Sequence, residues 1–235
     1  MQTHSNMIGD LPPFATIRQR IESTKEEETK FCFMAEYLFC ARISEIIGRC
    51  SPSDVTTEAR GICGKDAKQT IFKFRNEYFD IVVFTVRTAK RHGKIRKIAL
   101  PLDNKFEPFT EQLFDYVTQF GNDHVFPFTR QKAWQRATEV FNGLEYPIET
   151  YEIYVNGKKQ PPIFEHMKPF RTHALRHLRA TELLEVYDFS GVELSLYGGW
   201  TLRSMLGVAS SLSRYSHVHY RKYMPKLLTK RMDLM

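Results

Sequence analysis

No stretch of this 235-residue chain reaches about 18 consecutive hydrophobic residues, the length a membrane-spanning helix needs. The opening, MQTHSNMIGDLPPF, lacks the basic patch and apolar segment of a secretory signal. A membrane partner is therefore not expected. Cysteine is scarce: there are four, Cys32, Cys40, Cys50 and Cys63. No two of them form CxxC, and their spacing fits no zinc-ligand pattern. Buried, reduced thiols are the expectation, with no metal and no other cofactor. Internal repeats and low-complexity tracts are also missing, which argues against a repeat architecture.

What is present is an ordinary globular balance, 42% hydrophobic and 26% charged, in a chain long enough to bury a real core. The net charge of +7 favours an acidic partner, with nucleic acid ahead of membrane. Pro12 and Pro13 interrupt any early helix, so residues 1–22 read as a loose arm and 23–235 as one domain. A helix is expected to start at STKEEETKF, where Thr24 and Glu27 have capping-box spacing. It should continue through KFCFMAEYLFCARISEII until Gly48 and CSPSD end it. FDIVVFTVRTAK (79–90) and IRKIALPL (95–102) flank His92-Gly93 and predict a β-hairpin with a basic tip. A second hairpin is expected at YEIYVNGKKQPP (151–162), around its Asn-Gly turn. Helices are expected at 106–120, 130–142, 173–187, 190–197, 201–213 and 214–223. The class is α+β, mainly α-helical, with small antiparallel β-elements.

The segment THALRHLRATELL (172–184) puts His173, Arg176, His177 and Arg179 within seven positions. Residues 173, 176 and 177 share one helical face. Arg176 offers a planar fork for two phosphate oxygens and His173 a further donor, so the face suits an anion. A metal reading fails, because the arginine repels a cation and no HExxH glutamate is present. In CARISEIIGR (40–49), Arg42 lies among apolar neighbours near the buried side of its expected helix. A partly buried arginine needs a partner, and Glu45 is one turn away. Taken alone, that is a structural ion pair. Taken alone, the hairpin with Lys90, Arg91, Lys94, Arg96 and Lys97 is equally an exposed basic loop. LYGGWTLRSM (196–205) sets Trp200 after two glycines, so the backbone can bend and present the indole N–H, which only donates. In SRYSHVHYRKY (213–223), tyrosines alternate with bases, as in segments that lie on nucleic acid.

In this order the pieces resemble the tyrosine recombinase (phage integrase) family. ARISEIIGR resembles its first box, giving Arg42 with Glu45 as accessory acid. RTAKRHGKIRKIALPL resembles its second hairpin, giving Lys90, with Lys94 as fallback. THALRHLRATELL resembles its strongest box, giving His173 and Arg176, with His177 accessory. GGWT and SRYSH resemble its last two boxes, giving Trp200 and Tyr215. The resemblance spans roughly residues 24–223 and implies that family's catalytic-domain fold. Three features depart from the family. The Trp200–Tyr215 interval is long, with LGVASS (206–211) reading as inserted chain. The 151–162 hairpin reads as an insertion. The usual N-terminal DNA-clamp domain is not expected. Tyr220 and Tyr223 stay as rival nucleophiles, though only Tyr215 keeps the Tyr-x-His pattern.

The resemblance implies site-specific cleavage and rejoining of DNA through a 3′-phosphotyrosine, without metal or ATP. Arg91, Lys94, Arg96, Arg179 and Arg214 are the expected DNA contacts. The partner would be double-stranded DNA, bound as a homotetramer, with a monomer or weak oligomer in its absence. The tail YMPKLLTKRMDLM would dock on a neighbouring subunit or pack on its own domain. The setting would be cytoplasmic, nucleoid-associated, in a prokaryotic or virus-infected host. A type IB topoisomerase-like relaxing enzyme and a catalytically silent DNA-binding relative remain the alternatives.

Overall fold

Ile17 and Ile21 stand one helical turn apart and are both fully buried. They make the second half of the expected arm a helix, α1 (Phe14–Glu22), packed on the helix that follows. Pro13 sits just before its first turn, where a missing N–H costs nothing. This first element belongs to a computed structural model that describes residues 11–48, 60–88, 95–148, 154–155, 158–159, 166–200 and 220–230.

Helix α2 (Glu27–Leu38) is buried at every position from Phe31 to Leu38, as the central helix of a core must be. Thr24 is not its cap: the hydroxyl donates back to Arg20 O at 2.9 Å, closing α1 instead. The expected long helix also breaks. Cys40 turns the chain through φ 46°. Arg42 is extended (φ −82°, ψ 146°), and a new short helix, α3 (Ile43–Ile46), begins after it. An unbroken helix would carry a guanidinium into an apolar shell. The bend instead lets Glu45 cap the Arg42 N–H at 3.2 Å and keeps the Arg42 side chain partly exposed.

The expected first hairpin is present as β2 (Glu77–Arg87) and β3 (Ile95–Pro101), antiparallel with Arg87 opposite Ile95. A strand not anticipated, β1 (Ala67–Phe74), joins β2 to give a sheet of order β1-β2-β3. Between Phe74 and Glu77 the chain reverses in two residues, Arg75 and Asn76, with φ of 49° and 67°. Positive φ at both positions matches the twist of the flanking strands. Ile81, Val82, Phe84, Val86, Ile98, Ala99 and Leu100 of this sheet are fully buried in the core.

Helices α4 (Thr110–Thr118) and α5 (Arg130–Val140) follow, close to expectation. β4 (Glu145–Ile148) pairs with β7 (His166–Pro169), and β5 (Tyr154–Val155) with β6 (Lys158–Lys159). The second hairpin is thus observed, while its Asn156-Gly157 turn lies outside the described residues. Helices α6 (Thr172–Glu185) and α7 (Gly191–Gly198) close the site region. The helix expected at 201–213 and most of that at 214–223 lie outside the described residues. A 3₁₀ turn at Tyr220–Lys222 leads into α8 (Met224–Leu227), whose Met224 and Leu227 are buried in this domain's own core. One apolar cluster runs from Ile17 to Leu228. Cys32, Cys40 and Cys63 are buried free thiols. Among the described residues no helix is long and apolar enough to cross a membrane.

Candidate active site

Arg176, Arg179 and Glu182 recur every three residues along α6, and all three are buried. The strip therefore faces inward although every member is charged. Arg176 is 2% exposed. Its Nη2 donates to Gly198 O at 2.9 Å, and its guanidinium lies 4.7 Å from the Trp200 ring centroid. Nη1 approaches Glu45 Oε2 at 3.8 Å, too far for a hydrogen bond. That nitrogen is buried and has no hydrogen-bond partner. Burial pulls the Arg176 pKa down to about 10, which still leaves the group cationic at neutral pH.

Glu45 is the hub opposite it. The carboxylate is buried and accepts from the Arg42 backbone at 3.2 Å, from Arg42 Nη1 at 3.2 Å and from Arg96 Nη2 at 3.3 Å. Among the described residues, three guanidiniums face this one carboxylate. Glu36, fully buried on α2, is a further carboxyl close to Arg176. Burial drives its carboxyl pKa well up, against the downward pull of Arg176 and of the Ile43 N–H. A cluster of this kind attracts an anion, because desolvated like charges repel until a counter-charge arrives.

The Gly198-Gly199 pair places Trp200. Gly199 ends α7 in the left-handed region (φ 66°), and a Cβ there would come within 2.7 Å of Arg96 Cδ. A Cβ on Gly198 would lie 2.9 Å from the indole itself. Only glycines let the turn close over Arg96 while the indole covers Arg176. On the first turn of α6, His173 is exposed and meets His177 edge to face at 4.6 Å. Burial, with His173, Arg176 and Lys168 nearby, holds the His177 pKa down to about 4, so that ring is neutral at physiological pH.

Arg42, Arg176, Trp200 and Glu45 thus come together, and His173 shares the helix of Arg176. Two expected DNA contacts are corrected. Arg96 is buried, because strand alternation turns it inward with Ile98. Besides Glu45 it holds Phe39 O at 2.9 Å and the Tyr197 carbonyl. Arg179 is fully buried, with Glu107 and with Glu182 at 2.6 Å, and is ringed by Tyr37, Tyr187 and Tyr197. Both guanidiniums are engaged within the protein instead, Arg96 by Glu45 and two carbonyls and Arg179 by two carboxylates. Lys90, Arg91, Lys94, Arg214 and Tyr215 lie outside the described residues. Of the rival tyrosines, Tyr223 is 1% exposed and its hydroxyl accepts from Ala99 N at 2.9 Å. Burial raises its pKa, the wrong direction for a nucleophile. Tyr220 is half-buried against Phe72.

Sequence reasoning missed Arg96 as a strut, Glu36 as a buried neighbour of Arg176 and Glu107 as the counter-ion of Arg179. The alternation of β3 was a usable signal for Arg96, and the i,i+3 spacing of Arg179 and Glu182 for part of the second cluster. Glu107, far off in sequence, gave none. Among the described residues no three or more His, Cys, Asp or Glu side chains gather as a metal site. Comparison with protein-family models, with curated proteins and with solved structures found no match.

Proposed function

We propose that this chain is a site-specific DNA recombinase with the tyrosine recombinase catalytic-domain fold, acting on double-stranded DNA as a tetramer. One observation carries the reading: Arg42, Arg96 and Arg176 converge on the single carboxylate of Glu45, with Nη1 of Arg176 lacking a hydrogen-bond partner. That arrangement has the charge and the spare donor needed for a phosphodiester that gains negative charge during attack.

In the reaction, the phenolic oxygen of Tyr215 attacks phosphorus and the P–O5′ bond breaks. A 3′-phosphotyrosine and a free 5′-hydroxyl result. A free phenol has a pKa near 10, so the proton leaves during attack, to His173. Lys90 gives a proton to the departing 5′-oxygen. Arg42 and Arg176 hold the non-bridging oxygens, and the Trp200 indole N–H donates to one of them. Preorganised charge of this kind is worth on the order of 10²- to 10³-fold per donor. The covalent step conserves bond energy, so rejoining needs no ATP. Nη1 of Arg176 is shut off from solvent in the unbound protein, so a phosphate oxygen reaches it only once its surroundings shift.

A duplex nicked beside the cleavage point, which traps the cleaved state, tests this. The expected result is a covalent protein–DNA adduct that disappears in Tyr215→Phe while DNA binding persists. No adduct from the unmodified protein refutes the enzyme reading and leaves a DNA-binding relative. Relaxation of supercoiled plasmid without strand exchange favours the topoisomerase alternative.

A further inference from the structure

Trp134 is 55% exposed on α5, while Ala133 and Ala137 of the same helix face the core. A single exposed ring needs no explanation, but this one has basic neighbours. The Arg171 guanidinium lies 5.5 Å from a Trp134 ring centroid. Arg130, one helical turn before Trp134, is exposed on the same face of α5. Lys168, on β7, is exposed three residues before Arg171. Together these residues form a strip of three bases around one indole.

The bases of the strip are not taken up within the protein. Arg136, further along α5, pairs with Glu26 and Glu139. Among the described residues, Arg130, Lys168 and Arg171 form no ion pair. Glu145, the exposed acid of β4, stands opposite Pro169 and pairs with none of them. The backbone beneath the strip is anchored. Phe170 is fully buried against Phe141 and Tyr146, and its N–H donates to Leu144 O at 2.8 Å. Arg171 Nη1 donates to Phe170 O at 3.2 Å. The strip also borders the candidate active site. Arg171 immediately precedes α6, two residues before His173, and Lys168 is close enough to His177 for its charge to act on that ring.

We propose that this strip clamps the phosphate backbone of duplex DNA beside the cleavage site, independently of sequence, with Arg171, steadied by the Trp134 indole, as its central donor. The inference rests on the recombinase reading for its ligand and adds residues that lie in none of the family-like boxes. Duplex DNA is the occupant for two reasons. The strip is continuous with the pocket read as holding a phosphodiester, and unpaired cations complement a run of phosphates. An aromatic face steadies a guanidinium without neutralising it, so the fork stays available to phosphate oxygens. Contacts to phosphate carry no sequence information of their own.

The test titrates the full chain against two duplexes of unrelated sequence by fluorescence anisotropy, over a range of salt. Loss of one phosphate contact makes the log–log salt slope shallower by about 0.9, which is roughly five-fold in affinity at about 0.15 M salt. Arg171→Gln and Lys168→Gln are each expected to show that change on both duplexes. Trp134→Ala should reproduce the Arg171→Gln loss and add nothing to it in the double variant, and Trp134→Phe, which keeps a ring face, should restore it. Lys73→Gln removes the same charge beside the β1–β2 turn and should leave the slope unchanged. Should Trp134→Ala lose its cooperative thermal transition, the two charge variants decide alone. Equal loss in Lys73→Gln, loss on one duplex only, or no loss in Arg171→Gln and Lys168→Gln overturns the proposal. So does unchanged duplex affinity with weakened binding to polyglutamate, which assigns the strip to an acidic protein. Adduct formation by the unmodified protein separates this from the recombinase reading. An adduct with no effect of the strip variants sinks the clamp alone. No adduct, with the expected slope changes, sinks the enzyme reading and leaves the strip as a duplex-binding surface. No duplex binding at all sinks both.

Discussion

Arg176 and Arg179 stand three residues apart on one helix, are both buried, and live in opposite electrostatic settings. Around Arg179, two carboxylates, Glu107 and Glu182, face two guanidiniums, since Arg18 also reaches Glu182. Both Nη groups of Arg179 are engaged, and the charges balance. Tyr37 and Tyr197 seal this cluster through hydrogen bonds to Glu182 and to the Leu38 carbonyl. Around Arg176, three guanidiniums share Glu45, burial raises the Glu36 carboxyl pKa, and one Nη group has no hydrogen-bond partner. The first cluster is closed and holds α1, α2, α6 and α7 together. The second is open in charge and suited to a ligand. A buried arginine is informative only with its counter-charges: a balanced one serves the fold, an unbalanced one can serve binding.

The largest expected effect breaks the closed cluster. Arg179→Ala strands Glu107 in the core, leaves Glu182 with Arg18 and Tyr37 alone, and should cost about 3–5 kcal/mol of stability in urea denaturation. Arg176→Lys should change stability far less, because it keeps the charge. It should nevertheless lower adduct formation on the order of 10²-fold, since lysine cannot fork to two oxygens. Equal destabilisation by the two variants would erase the contrast. Next comes pH. Folded His177 resists protonation until about pH 4, whereas an unfolded histidine takes its proton near 6.5. Between those values the unfolded chain binds more protons. Stability therefore falls as pH drops from about 6.5 to about 4 and is regained as pH rises. His177→Asn should flatten that part of a stability–pH profile. The smallest effect sharpens the comparison from the other side. Glu36→Gln keeps the shape of an acid whose pKa burial raises, so stability at neutral pH should move far less than in Arg179→Ala. A large change would mean that Glu36 carries charge and that the Arg176 cluster is less open than described.

Much of the scaffold was legible. Alternation in FDIVVFTV and IRKIALPL located β2 and β3, and the helical spacing of 173, 176 and 177 fits the first turns of α6. The glycine pair before Trp200 has the role its sequence suggested. Less legible were the features that depend on what packs nearby. KFCFMAEYLFCARISEII looks like one helix because its periodicity is unbroken, yet the chain turns at Cys40 to bring Arg42 to Glu45. AKQTIFKF hid a strand because its exposure is nearly continuous: β1 is an edge strand with little of its surface buried. Arg96 and Arg179 look like surface bases in sequence, since sequence alone prices every buried charge as improbable.

Local order along the chain settled which residue types fall on which face, because helical and strand periodicities are short-range and set by backbone geometry. It thereby brought Arg176 and His173 to one end of α6 and Arg96 to the inner side of β3. Only tertiary packing decided which of these charges found a counter-charge. Glu107 is 72 positions from Arg179, and Glu45 is 51 from Arg96. Coulomb energy depends on separation in space and on how much water remains between the groups. Neither quantity exists until the chain has folded, so the difference between the structural arginine and the open one belongs to the tertiary structure alone.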